Sequence, residues 1–235
     1  MKLKELQSRL EQVETFEKPK LHYEQYITTP HLASQIVYNI DQMYDDLNGK
    51  MVCDLGCGTG MLSIGCSFMM ANYILGVDID SDALSICRKN FDFFDLYDTS
   101  AVDFLQMDIK QLNKYNFNFE NYFDTLIMNP PFGTKNQKLE SNDQDKDDEE
   151  LKSLGVDLIF LKMATKLTNN AIYSIHKSVT RNYIKNIAKK WNLNMEVVSQ
   201  LRYNIPKIDT RNRRLEKTAA DKDVEVDFLR FTLKN

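Results

Sequence analysis

The chain has 235 residues, 43% of them hydrophobic and 27% charged, with 8 glycines and a formal charge of −4. At about 150 residues per domain this is one domain with a substantial core, and the composition excludes disordered, collagen-like and coiled-coil chains. No run reaches the ~18 apolar residues of a membrane span, and the polar start MKLKELQSRLEQVETFEKPK is not a signal sequence, so an intracellular protein of the nucleus or cytoplasm is expected.

Residues 3–16 place Leu3, Leu6, Leu10, Val13 and Phe16 three or four apart, which predicts an amphipathic helix ending before Pro19. Thr28-Thr29-Pro30 then reads as a capped helix start leading into His31 to Tyr44, with Asn48-Gly49 closing the segment. From there apolar runs of strand length alternate with helical patterns. The strands are Met51 to Leu55, Tyr73 to Val77, Val102 to Met107, Phe123 to Met128 and Ala171 to Ile175; the helices lie near 60–70, 81–94 and 155–168. Such repetition with nearly continuous apolar strands predicts a mostly parallel α/β sheet covered on both faces. Met195 to Arg202 and Val224 to Leu233 are strand-like with no helical pattern between them, and predict an antiparallel C-terminal hairpin at the sheet edge.

Two stretches interrupt the pattern. Residues 136–153 hold seven acids from Glu140 to Glu150 against Lys146 alone, a composition expected of a solvated, disordered loop. Residues 176–217 hold eleven Lys or Arg against Glu196, Asp209 and Glu216, a net of +8. Cys53, Cys57, Cys66 and Cys87 include no pair at the C-x-x-C spacing of zinc sites, so they read as structural thiols and no metal is expected.

Asp54-Leu55-Gly56-Cys57-Gly58-Thr59-Gly60 follows a strand and opens a helix, where a glycine turn brings backbone N–H groups against a ligand. The dinucleotide fingerprint needs its third glycine where this chain has Met61, and no phosphate-loop lysine follows. The second strand ends in Gly76-Val77-Asp78, an acid placed for ribose hydroxyls, and the third ends in Gln106-Met107-Asp108, an acid placed for an adenine amino group. This combination resembles the class I S-adenosylmethionine-dependent methyltransferases. The fourth strand runs into Asn129-Pro130-Pro131-Phe132. An adenine or amide nitrogen is a poor nucleophile while its lone pair is delocalised. The Asn129 side-chain carbonyl and the Pro130 backbone carbonyl are suited to hold its two N–H groups and redirect the lone pair, with Phe132 stacked on the planar substrate. The tetrapeptide resembles the motif of amino-methyltransferases acting on adenine N6, cytosine N4 or glutamine amides, and does not choose among them.

Over nearly its whole length the chain resembles the methyltransferase-like protein five family, through LKELQSRLEQVETFEKPKL, YDDLNGKMVCDLGCGTGMLSIG, GVDIDSDAL, IMNPPFGTKN, YSIHKS and EVDFLRF. The resemblance implies a Rossmann-like class I methyltransferase fold with a mostly parallel seven-stranded sheet. It implies one domain over 1–235, with residues 1–47 as a helical extension over the cofactor. It implies N6-methylation of an adenosine in small-subunit ribosomal RNA, with S-adenosylmethionine held by Gln25, Thr28, Gly56, Thr59, Asp78 and Asp108 and the adenine held by Asn129, Pro130, Pro131 and Phe132. It further implies a small zinc-containing activator subunit forming a heterodimer by strand addition near Val102, Phe104 and Leu105. The basic C-terminal third fits an RNA backbone, with Lys207, Arg211, Arg213, Arg214 and Lys217 as expected contacts; His176, Lys177 and Ser178 follow the fifth strand towards the substrate side, Ser178 equally as a helix cap. A protein glutamine methyltransferase and a non-catalytic ribosome-assembly factor remain as alternatives.

Overall fold

A computed structural model describes residues 1–112, 120–132, 153–205, 208–209, 214–215 and 222–234. The N-terminal part holds α1 (Leu3–Leu10) and α2 (Pro30–Tyr44). The sheet is built from β1 (Met51–Leu55), β2 (Tyr73–Asp78), β3 (Ala101–Gln106), β4 (Phe123–Met128), β5 (Thr168–Lys177), β6 (Leu193–Ile205) and β9 (Lys222–Leu233), in the order β3-β2-β1-β4-β5-β9-β6. Between the strands lie α3 (Met61–Phe68), α4 (Ser81–Phe93), α5 (Val156–Leu167) and α6 (Arg181–Lys190). The two-residue strands β7 (Ile208–Asp209) and β8 (Arg214–Leu215) pair separately.

The first five strands run parallel, and β9 inserts antiparallel between β5 and β6. Successive strand residues point to opposite faces. Val52, Ile74, Ile127, Tyr173 and Phe228 therefore join α1, α2, α3 and Phe91 in one core. Their neighbours Cys53, Leu75, Leu126, Ile172 and Leu229 join α5 and α6 in the other. Burial on both faces explains why the strands read as unbroken apolar runs.

Three sequence expectations change. α1 stops at Leu10 rather than near residue 16, because the following backbone is bound elsewhere: the Asn90 carboxamide accepts from Glu14 N and donates to Glu14 O and Thr59 O, each at 2.9 Å. Residues 11–16 thus tie the glycine turn to α4. The helix Arg181–Lys190 was hidden in sequence among cations, yet its Ile184 and Ala188 are buried four apart. Asp45, at φ 53°, caps α2 before Asn48-Gly49 is reached. The acidic loop lies outside the described residues but for Ser153.

β3 is an edge strand with a half-exposed pattern. Val102 and Phe104 pack into the first core and Leu105 into the second, the Phe104 ring meeting Phe91 edge-on at 5.3 Å.

Candidate active site

At the carboxyl end of β1 the chain turns on three glycines of positive φ, Gly56 (76°), Gly58 (56°) and Gly60 (90°). Gly56 N and Cys57 N donate to Val77 O at 2.7 and 3.1 Å, which locks the turn to β2. A Cβ on Gly60 would stand 2.5 Å from Cys87 Sγ, so only glycine fits there. The four cysteines are free and buried.

Two acids face this turn. Asp78 accepts from Gly58 N at 2.8 Å on one oxygen and from Asp80 N at 2.9 Å on the other. Burial pushes its carboxyl up against these backbone hydrogen bonds. Asp54 is fully buried; Oδ2 accepts from Ser63 Oγ at 2.6 Å, while Oδ1 has no partner among the described residues. Desolvation, reinforced by the nearby Asp78 charge, pushes Asp54 to about 7 against the Ser63 hydrogen bond.

The segment before α2 closes over the turn through a polar latch. Lys20 N donates to Gln25 Oε1 at 2.7 Å, Gln25 Nε2 donates to Asp80 Oδ2 at 2.7 Å, and Lys20 Nζ reaches Asp80 at 2.6 Å and Asp82 at 2.7 Å. Further along, Thr28 Oγ1 accepts from Asn129 Nδ2 at 2.9 Å, which leaves Asn129 Oδ1 buried with no partner among the described residues.

These elements enclose a cavity of about 330 Å³. Its wall contains Gln25, Thr28, Gly56, Thr59, Asp78, Asp108, Asn129 and Pro131, joined by Asp54, Phe16 and Phe160. Sequence positions more than a hundred apart are therefore brought to one chamber at the carboxyl ends of β1, β2 and β4. Pro130 is buried beside it, and Phe132 packs on the first core with Lys177 Nζ 5.3 Å from its ring centroid. Asp108 also caps a 3-10 turn, accepting from Lys110 N at 3.0 Å.

Other expectations are corrected. His176 does not line the chamber: it is fully buried, between Ser174 Oγ at 2.9 Å and Asp157 Oδ2 at 3.1 Å. Ser178 caps no helix, since its hydroxyl donates to Asp227 at 2.7 Å. Lys207, Arg211, Arg213 and Lys217 lie outside the described residues, and Arg214 is described only as part of β8. Asp54 itself was not singled out in the sequence, although an acid closing an apolar strand ahead of a glycine turn is the signal that marks it.

The family model for the methyltransferase small domain matches residues 32–146. The rRNA N6-adenosine-methyltransferase METTL5 of Danio rerio is 41% identical over 99% of this chain and 99% of its own. The Mettl5 protein of Drosophila melanogaster is 38% identical over 99% and 97%. The chain belongs to the METTL5 family. The crystal structure of protein PH1948 from Pyrococcus horikoshii superposes with a TM-score of 0.72 at 26% identity, covering 99% of this chain and 96% of that one.

S-adenosylmethionine is the cofactor of METTL5-family enzymes, and the chamber fits it on its own terms. Two residues of its wall, Asp54 and Asn129, each carry a buried acceptor, Oδ1, with no partner among the described residues. An orphaned buried acceptor costs about 1–3 kcal/mol, which a ligand donor or cation relieves. The wall carries glycine backbone, apolar and neutral polar side chains, and four carboxylates, Glu24, Asp54, Asp78 and Asp108, against Lys110 and His22, a balance suited to a cationic nucleoside.

Proposed function

We propose that this chain transfers the methyl group of S-adenosylmethionine to N6 of an adenosine in small-subunit ribosomal RNA. The observation that carries the reading is the Asn129 carboxamide in the chamber wall: its nitrogen is engaged by Thr28, and its oxygen is buried with no partner among the described residues. The relatives from zebrafish and fly, named as rRNA N6-adenosine methyltransferases, supply the substrate.

In this reading Gly56, Thr59, Asp78 and Asp108 hold the nucleoside part of the cofactor, with Asp78 offering its remaining lone pairs to the ribose and Asp108 to the adenine amino group. Gln25 and Thr28 belong to the segment before α2 that closes over the cofactor, and the Asp54 carboxylate answers the cationic methionine end. When bound, S-adenosylmethionine supplies a methyl group on a positively charged sulfur, a leaving group that departs as a neutral thioether. Asn129 Oδ1 and the Pro130 carbonyl accept the two amino hydrogens of the target base, which draws the nitrogen lone pair out of conjugation and aims it in line with the methyl group. Pro130 and Pro131 restrict the loop that carries these acceptors. Phe132 stacks on the extruded base. The surplus proton leaves the methylated nitrogen after transfer, so no strong base is required. A small zinc-containing activator subunit pairs with the open edge of β3, since Ala101–Gln106 pairs with β2 on one side and has no strand on the other among the described residues.

The test is methyl transfer from labelled S-adenosylmethionine to ribosomal RNA, with and without the activator, followed by nucleoside identification. N6-methyladenosine is expected, and Asn129→Ala should lower turnover by about 10²–10³-fold while cofactor affinity stays within a few-fold. Label in protein glutamine instead of RNA overturns the reading; so does full cellular function in Asn129→Ala.

A further inference from the structure

We propose that the surface running from Lys177 along the outer face of α6 is the docking face for the RNA strand that flanks the target nucleotide. This rests on the RNA reading above and names where that RNA lies among the described residues.

Position is the first argument. β5 continues beyond the level of β4, since Met128 pairs with Ser174 and the strand ends only at Lys177. The Lys177 ammonium consequently sits 5.3 Å from the Phe132 ring centroid, beside the platform for the target base. The chain then passes through a 3-10 turn at Ser178–Thr180 directly into α6, so a strand leaving that platform meets this helix next.

Charge is the second. From residue 158 to 195 the sequence holds seven Lys or Arg and no Asp or Glu, in a chain whose formal charge is −4. Of the acids around this region, Asp157 is engaged by His176, Glu196 accepts from Tyr44 Oη at 2.9 Å, and the buried Asp227 is held by Arg181 at 2.6 Å and Ser178 at 2.7 Å, while the exposed Glu225 lies near Arg181. α6 buries Ile184 and Ala188, leaving Asn182, Lys185, Asn186 and Lys189 exposed. Lys185 and Lys189 stand one turn apart on that outer face, about 6 Å from each other, and no salt bridge engages either among the described residues.

The third argument is the apolar surface between the cations. Val179 is 88% exposed and Tyr183 52% exposed. An exposed tyrosine among lysines and neutral amides is the combination with which proteins hold single-stranded RNA, the aromatic ring stacking a base and the cations tracking the backbone. Lysines adjoining phosphates contribute by releasing counterions, so this face should determine the salt dependence of binding.

The test measures binding of a short single-stranded RNA containing adenosine to the full chain by fluorescence anisotropy, over roughly 50–200 mM salt. For Lys185→Gln/Lys189→Gln the slope of log affinity against log salt should fall by about 1.4, at about 0.7 per contact, and affinity at ~0.1 M salt should fall roughly 25-fold. Lys177→Gln should lower the slope by about a further 0.7. Tyr183→Ala should weaken binding by roughly five- to hundredfold with the slope unchanged, the signature of lost stacking rather than lost charge. Lys4→Gln, on α1, should change neither, and S-adenosylmethionine affinity in every variant reports the intact fold. Wild-type slope and affinity in the double variant, with steep salt-dependent binding by the wild type, would overturn the docking face and leave the RNA reading standing. A wild type that binds RNA without salt dependence removes the docking face alone, and one that binds no RNA at any salt in this range removes both. Loss of polyglutamate binding with RNA binding intact overturns the proposal in favour of an acidic protein partner.

Discussion

Asp54→Asn separates stability from cofactor binding. The native carboxyl is fully buried, with one oxygen satisfied by Ser63 and one orphaned, and burial raises its pKa from the ordinary 3.8 to about 7. Because the folded value lies above the unfolded one, the linked stability is complete below about pH 4 and is lost as pH rises through about 7. At about 1.4 kcal/mol per pH unit the interval amounts to about 4 kcal/mol as an upper limit. Asparagine keeps an acceptor for Ser63 and removes the charge, but leaves a buried NH₂ that costs about 1–3 kcal/mol. That amide cost is the same at both pH values, so between pH 4 and pH 8 the ligand-free variant is expected to gain up to about 4 kcal/mol of stability relative to wild type. Urea midpoints at the two pH values measure this, and pairing variant with wild type at each pH cancels the other carboxyls. Cofactor affinity should move the opposite way, falling roughly tenfold or more by calorimetry at pH 8, since a hydrogen bond to a charged group is lost. A stability difference that does not vary with pH would refute the buried-charge argument. Stabilisation with unchanged cofactor affinity would refute the pairing of Asp54 with the cationic end of the cofactor.

Three further outcomes follow from the geometry. Gly60→Ala places a Cβ 2.5 Å from Cys87 Sγ at φ 90° and should cost about 2–5 kcal/mol in urea unfolding; adding Cys87→Ala should recover about 1–3 kcal/mol of it, whereas strict additivity would show that the clash is not the cause. Tyr173→Phe removes a buried hydroxyl that donates to Asp46 Oδ2 at 2.6 Å and accepts from Arg230 Nε at 2.9 Å, and should cost about 1–3 kcal/mol with turnover unchanged. Burial raises the Asp227 carboxyl, but the Arg181 and Ser178 hydrogen bonds outweigh it and hold the pKa below 3.8. The linked stability is thus present above about pH 4 and lost as pH falls through the folded value; Arg181→Ala should lower the urea midpoint clearly at pH 7 and progressively less towards pH 3.

The sequence by itself determined the layers and marked the residues on which the proposed chemistry rests. Apolar runs of strand length separated by 3.6-period segments required a two-faced, mostly parallel sheet. Gly56, Gly58 and Gly60, Asp78, Asp108 and Asn129-Pro130-Pro131-Phe132 announced themselves because each is a local signal, a residue type at the carboxyl end of a strand. The relations between distant segments were not local and were decided only by the tertiary structure. Asn90 ends α1 early by holding Glu14 from 76 residues away. Asp80 latches Lys20 and Gln25, and Thr28 engages the nitrogen of the Asn129 amide in the chamber wall, its oxygen buried with no partner among the described residues. His176, which in sequence follows a strand towards the substrate, turns inward because Ser174 and Asp157 satisfy both ring nitrogens in the interior. α6 escaped notice because its cations dominate its composition, and only packing distinguishes the buried Ile184 and Ala188 from the exposed Lys185 and Lys189. Periodicity records which face of an element is apolar; which partner a polar side chain meets depends on a fold that brings the two together, and that information is carried by no single segment of the chain.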